Sequence, residues 1–314
     1  MSYFLGIDTS NYTTSISVYN SETANMLRQK KLLPVRHGEC GLRQSDAVFH
    51  HVQQLPEIAE ELLRDFDGEF TAVGVSVRPR DAEGSYMPCF TVGTAAARIL
   101  AAVLKVPLYT FSHQCGHIAA ALYSSKRTDL IGEKFLAFHV SGGTTEAVIV
   151  RPDDENIFSV ELVGRTLDLN AGQLIDRIGV MMGLDFPAGK ELEKYALENK
   201  LSVKGKATLK GTDCCLSGIE NICRREYENS SSKEYVSALC LKYVENTLYG
   251  MCDAILRKYG NMPVIFAGGV MSNKIIKEEL KKGIDAWFAE PEFSADNASG
   301  TAFLTYLKHK TTTE

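Results

Sequence analysis

The pattern Ser-x-x-Thr-Thr occurs twice, as Ser10 to Thr14 and as Ser141 to Thr145, offset by 131 residues. Each copy lies between two β-rich runs. Phe4-Leu5-Gly6-Ile7 and Ser15-Ile16-Ser17-Val18 flank the first; Phe135-Leu136-Ala137-Phe138 and Ala147-Val148-Ile149-Val150 flank the second. One coincidence of this length means little. Two strand–turn–strand hairpins with hydroxyl-rich tips, each opening one half of the chain, suggest a duplicated domain. At 314 residues there is room for two ordinary domains with real cores.

Elsewhere short β-rich runs alternate with longer helical patterns, which favours an α/β architecture. Helical spacing recurs at Val52, Leu55, Ile58, Leu62 and Leu63, over 93–104, 172–182 and 191–197, and from Val236 to Ile255, ending near Gly260. Strands are expected over 72–77, 106–111 and 264–267, and the polar run 229–233 reads as the clearest loop.

Hydrophobic residues at 45% and charged residues at 23% are those of a globular protein. The N-terminus has no basic region followed by an apolar run, and the most apolar stretch, near 90–108, is broken by Arg98 and Lys105, so a cytoplasmic protein without a membrane span is expected. No C-x-x-C pair exists among the eight cysteines, so reduced, packed thiols are the better reading. A net charge of −5 does not advertise a nucleic-acid binder. Two local exceptions stand out: Lys200, Lys204, Lys206 and Lys210, then Lys274, Lys277, Lys281 and Lys282. Each could equally be a solvated face.

Chemistry is most visible at His113 and His117. On a helix that spacing puts both imidazoles on one face, two of the three protein ligands a catalytic metal commonly takes. One buried histidine beside one surface histidine fits the same spacing. Gln114 stands where a zinc-protease helix carries its general base Glu, which argues against peptide hydrolysis. Asp296, before Asn297 and Ala298, fits either a first-turn helix acid or a third metal ligand. The turn Ser141-Gly142-Gly143-Thr144-Thr145 can bring backbone N–H groups and hydroxyls to an anion, or be a plain hairpin turn. Ala267-Gly268-Gly269 closes a strand and opens a helix, a position suited to a nucleotide in α/β folds. Asp176 becomes a ribose acceptor only if its helix face meets these loops.

Together these residues resemble the universal tRNA threonylcarbamoyladenosine synthase family. The correspondence runs from Leu5 to about Leu304. It is carried by Gly6-Ile7-Asp8-Thr9-Ser10, His113-x-x-x-His117, Val140 to Thr145, Ala267-Gly268-Gly269-Val270-x-x-Asn273 and Asp296-Asn297-Ala298. The resemblance implies an α/β fold of the actin/Hsp70/sugar-kinase (ASKHA) type, with two similar domains around a nucleotide. It implies an N-terminal subdomain over 1–112, a C-terminal subdomain with helical insertions over 113–293, and a last helix over 294–314 packing back across them. His113, His117 and Asp296 would hold one divalent metal ion, iron or zinc. Ser141, Gly142, Gly143, Thr144, Thr145, Asp176, Gly189 and Asn273, with Glu193 as a further candidate, would contact an adenylate. The implied reaction moves a threonylcarbamoyl group from the adenylate to the N6 amine of the adenosine beside the tRNA anticodon, with partner proteins of the same pathway.

Several positions depart from the family pattern. Tyr12 and Thr13 replace two acids after Thr9-Ser10. The paired aspartates before Ala-Ala-Gly-Glu read Asp168, Leu169, Asn170, Ala171, Gly172 and Gln173. A Gly-Pro-Gly loop reads Arg78-Pro79-Arg80, and Pro-Gly-Gly-Pro reads Pro187-Ala188-Gly189-Lys190. A divergent paralogue is implied. Two other readings therefore stand beside transfer to tRNA: a nucleotide-binding complex subunit without turnover, and a kinase or carbamoyl transferase acting on a small molecule.

Overall fold

A computed structural model describes residues 1–10, 12–34, 42–293 and 297–313. They fall into two units, Met1–Ile131 with Pro152–Ser159 and Glu292–Glu314, and Gly132–Arg151 with Val160–Pro291.

The first unit runs β1 (Tyr3–Ser10), β2 (Thr13–Asn20), β3 (Met26–Leu32), α1 (Gln44–Leu63), β4 (Phe70–Arg78), α2 (Phe90–Leu104), β5 (Leu108–Ser112) and α3 (His113–Ser124). Its sheet has the order β3-β2-β1-β4-β5, antiparallel across the first three strands and parallel from β1 through β4 to β5. Nearly all of β1 and β2 is buried, so they read as runs of apolar and small residues rather than as strict alternation. β3 was not visible in the sequence because it is the edge: Arg28, Lys30 and Lys31 protect it from pairing with another chain. One face of the sheet packs Leu5, Ile7, Val73 and Val75 against Leu55 and Ile58 of α1 and Ala97 and Ala101 of α2. The C-terminal helix Asn297–Thr313 lies against β1, β2, β4 and α3.

From Gly132 onward the chain runs β6 (Phe135–Val140), β7 (Thr145–Asp153), β8 (Ile157–Arg165), α4 (Ala171–Met181), α5 (Gly189–Glu198), the short pair β9 (Leu209–Lys210) and β10 (Asp213–Cys214), α6 (Ser217–Ser230), α7 (Lys233–Tyr259), β11 (Val264–Ala267), α8 (Lys274–Gly283) and β12 (Ala286–Phe288). The helix Asn297–Thr313 completes the chain as α9. The second sheet, β8-β7-β6-β11-β12, has the strand order of the first, with an antiparallel β6–β7 pair continued by parallel β11 and β12. Phe138, Phe266 and Phe288 stand at matched positions on neighbouring parallel strands, with ring centroids 4.7 and 5.3 Å apart, and this ladder helps fix the register.

The loop expected over 229–233 shrinks to two residues. α6 continues through Ser230, whose hydroxyl donates to the Glu226 carbonyl at 2.7 Å and so seats a serine in the last turn. Ser231 takes a left-handed conformation, and the Ser232 hydroxyl caps α7 by accepting from Tyr235 N. The seven described cysteines are unbridged. No helix among the described residues is long and apolar enough to cross a membrane.

Candidate functional site

The sequence places His113 as the first residue of α3, directly after β5. Ser112 fixes that start: its hydroxyl accepts from Cys115 N at 3.2 Å and donates to Asp81 at 2.7 Å. Arg78 holds the other oxygen of Asp81 with two hydrogen bonds, and the Cys115 thiol donates to Asp81 at 3.0 Å. Thus the Arg78-Pro79-Arg80 loop is tied to the histidine helix, a tie repeated where Gln114 N donates to the Pro79 carbonyl. Burial, together with the Asp81 charge, pushes the Cys115 thiol well above its usual range, so this cysteine is a packed thiol rather than a nucleophile.

The His113 and His117 rings meet at 4.5 Å between centroids, edge to face. His113 Nδ1 lies 2.9 Å from Oδ2 of Asp8, which is fully buried at the end of β1. Burial alone would raise the Asp8 carboxyl. The His113 ring and hydrogen bonds from His113, Ser76 and Ser10 outweigh it and hold the carboxyl below its ordinary value. An ionised Asp8 can only accept, so His113 donates from Nδ1, and Nε2 is the ring nitrogen left to offer a lone pair to a metal. A carboxylate behind a histidine in this way is the usual support of a metal-ligating imidazole. Beyond Nε2, at 3.4 Å, is Nδ2 of the buried Asn297, whose Oδ1 has no hydrogen-bond partner. An oriented imidazole, a second imidazole and an orphaned buried oxygen are a donor set that fits a divalent cation. Among the described residues no group of three His, Cys, Asp or Glu side chains is arranged to hold a metal. Asp296 lies outside the described residues.

Sequence reasoning missed Asp8 as the partner of His113. Its signal was a lone acid closing an apolar strand. It also missed His51, fully buried on α1. Gln54 Nε2 donates to the Leu32 carbonyl, which leaves Gln54 Oε1 to accept from the Thr14 hydroxyl at 2.9 Å. Thr14 then accepts from His51 Nδ1 at 2.8 Å, and the tip of the first hairpin is locked to α1.

In the second unit the Ser141 hydroxyl accepts from Gly143 N at 3.3 Å and Thr144 N at 3.1 Å, folding the turn around itself. Thr145 Oγ1 accepts from Ala171 N at 2.9 Å, and Gly172 N donates to the Ser141 carbonyl at 3.2 Å. The glycine turn therefore sits on the first turn of α4. A Cβ on Gly172 would come within 2.6 Å of Gly142 N, so glycine is what permits this approach. Two departures from the family pattern are absorbed here. Gln173 closes a capping box with Asn170, and Leu169 joins the hydrophobic core. Asp168 caps α6 through Leu216 N, Ser217 N and the Ser217 hydroxyl.

The other candidate residues of this unit lie on α4, α5 and α8, with α5 packed on α8 and on α7. Glu193 Oε1 accepts from Lys274 N at 2.8 Å and Asn273 Oδ1 from Ile276 N at 3.1 Å, so both cap α8. Gly189 opens α5. Asp176 accepts from Ala188 N at 2.9 Å, and burial raises its carboxyl because that one hydrogen bond only partly offsets the lost hydration. The sign of the linkage follows: a carboxyl raised by folding costs stability where it is ionised, and the cost disappears in acid. Asp176→Asn keeps an acceptor for Ala188 N, so its melting temperature should exceed the parent's at pH 7, with the difference vanishing as pH falls through the carboxylate range. A melting series from pH 7 to pH 3 checks this.

The family model for tRNA N6-adenosine threonylcarbamoyltransferase matches residues 29–303. The chain is 28% identical to the tRNA N6-adenosine threonylcarbamoyltransferase of Methanopyrus kandleri, over 86% of this chain and 77% of that one. It is 26% identical to a probable bifunctional tRNA threonylcarbamoyladenosine biosynthesis protein of Methanothermobacter thermautotrophicus, covering 98% of this chain but only 56% of that protein. Among solved structures, full-length HypF in its phosphate- and nucleotide-bound form superposes with a TM-score of 0.61 at 14% identity, over 98% of this chain and 46% of HypF. The ROK hexokinase of Thermus thermophilus gives 0.53 at 16% identity, over 98% and 99% of the two chains. With the repeated strand order, these likenesses identify the ASKHA fold.

Proposed function

The chain belongs to the tRNA N6-adenosine threonylcarbamoyltransferase family, and from that premise we propose that it transfers a threonylcarbamoyl group from threonylcarbamoyl-adenylate to the N6 amine of the adenosine next to the tRNA anticodon. The observation that carries this reading is the His113–His117 pair with the buried Asp8 behind it.

In the second unit, Ser141, Gly142, Gly143, Thr144 and Thr145 would lie against the adenylate phosphate, with the Ser141 and Thr144 hydroxyl protons as its donors, because Gly143 N and Thr144 N already donate to the Ser141 hydroxyl and Thr145 Oγ1 accepts from Ala171 N. Asp176 would accept from ribose hydroxyls. Gly189, Asn273 and Glu193 would shape the nucleotide wall at the starts of α5 and α8. In the first unit, His113, His117 and Asp296 would hold one divalent ion, iron or zinc, which supplies Lewis acidity toward the anhydride when bound. Asp8 keeps His113 in the tautomer this requires. The N6 lone pair adds to the carbamoyl carbon, the bond from that carbon to the phosphate oxygen breaks with its electrons leaving on AMP, and the amine proton passes to solvent.

The test supplies threonylcarbamoyl-adenylate, unmodified tRNA and partner proteins of the pathway to protein purified without chelator. Modified adenosine is expected by nucleoside mass analysis, lost on chelation and restored by added metal. Absence of product beside an active control synthase would overturn the proposal.

A further inference from the structure

The two lysine clusters, equivalent in the sequence, differ in the fold. On α8 three of the four cluster lysines are committed: Lys282 pairs with Glu279, and Lys277 and Lys281 lie over the Phe288 ring at 5.4 and 5.6 Å, while on the facing α7 Lys242 pairs with Glu245 at 2.7 Å; Lys274 stands apart in the first turn. The segment 199–212, which links α5 to the β9–β10 pair, holds four lysines and no acid. Lys210 faces Asp213 across the β9–β10 ladder. Lys200, Lys204 and Lys206 are exposed, and among the described residues they make no ion pair.

This segment is pinned rather than loose. The Asn199 side chain closes the turn around Lys200 by bonding both Leu201 N and the Leu201 carbonyl. Farther along, Asn246 of α7 donates to the Gly205 carbonyl at 3.0 Å. A Cβ on Gly205 would stand 3.0 Å from the Lys242 carbonyl, so the backbone lies directly on the helix. Val203 and Gly205 face inward while Lys204 and Lys206 face out. In an extended backbone that alternation sets the two outward residues about 6.6 Å apart, and the run from Lys200 to Lys206 spans at most about 20 Å.

We infer that this segment is a docking strip for the phosphate backbone of RNA. Three unpaired ammonium groups in a row, on a rigid mount and on a chain of net charge −5, suit a regularly charged polyanion. No aromatic residue lies within the segment, so the strip positions a strand and does not read bases. The strip starts where α5 ends, and α5 is about 15 Å long from Gly189. The tRNA backbone would therefore be gripped one helix length from an adenylate-contacting residue. The inference rests on the reading of tRNA as acceptor.

Binding of an unmodified tRNA transcript by the full chain is measured from 50 to 200 mM KCl. The triple variant Lys200→Ala/Lys204→Ala/Lys206→Ala is compared with a control, Lys281→Ala/Lys282→Ala, and thermal melts establish that each is folded. The triple variant should bind on the order of tenfold more weakly at physiological salt, with the slope of log affinity against log salt reduced by about 2–3; the control should match the parent. Equal affinity and slope in parent and triple variant would overturn the strip while leaving the transfer reading intact. So would binding of anionic vesicles or acidic peptides but not RNA. Lysine-dependent tRNA binding without any modified adenosine would uphold the strip and sink the transfer reading instead.

Discussion

Asp8→Asn should leave the chain folded yet weaken the metal binding proposed for His113 and His117 by about 10–100-fold. An asparagine has nearly the volume of the aspartate and keeps an acceptor for Ser10 N, which now bonds Asp8 Oδ1 at 3.0 Å. What changes is the atom facing His113 Nδ1 at 2.9 Å. An amide NH2 there donates, so the imidazole must accept at Nδ1 and place its proton on Nε2, the nitrogen that should present a lone pair. The measurement is metal retained per chain after dialysis against graded chelator, alongside a melt of the metal-free protein. A structural role alone would lower the melting temperature and leave metal retention unchanged. Parent-like retention in the variant would show that Asp8 does not set the His113 tautomer.

That hydrogen bond also marks where the sequence stopped being legible. His113 and His117 could be placed on one helix face from their spacing, because helical geometry is local. Asp8 is 105 residues away, and only the closure of β1 beside β4 and β5 brings the end of one strand to the start of α3. The repeated Ser-x-x-Thr-Thr turns did correspond to the first hairpin of each sheet, β1–β2 and β6–β7. Their shared pattern conceals unequal contacts, since Thr14 is bound to His51 and Gln54 whereas Thr145 receives the first turn of α4. Polar edge elements were least readable. β3 is rich in cations because it is an edge, and α6 shows only Ile219 and Cys223 as buried residues across its 14 positions. Neither length nor periodicity stands out when so little of an element faces a core. The lysine clusters make the same point for function: composition marked both, and only the neighbouring acids and rings separated them.

Gly300→Ala is expected to destabilise the first unit by about 3 kcal/mol or more, lowering its melting temperature by about 6–12 °C. A Cβ at Gly300 would lie 1.8 Å from the Gly116 carbonyl oxygen, backbone against backbone, with no flexible side chain to move aside. α9 has nowhere to retreat. On its other side a Cβ at Gly6 of β1 would already be 2.3 Å from the Ala298 carbonyl, so α9 is seated between a strand and α3 by the absence of side chains on both. Buried hydroxyl pairs stitch it further to the sheet, Ser17 with Ser299 and Ser76 with Thr301, each at 3.1 Å. Any shift that relieves the methyl group must therefore stretch those bonds or drive α3 outward. Because α3 carries His113 and His117, and α9 begins with Asn297 beside His113 Nε2, the displacement reaches the proposed metal-binding face directly. Thermal melts with and without metal separate the two consequences: both the metal-free melting temperature and the stabilisation gained on adding metal should fall. A variant melting within about 2 °C of the parent would mean that the α3–α9 crossing tolerates a side chain and does not set the histidine geometry.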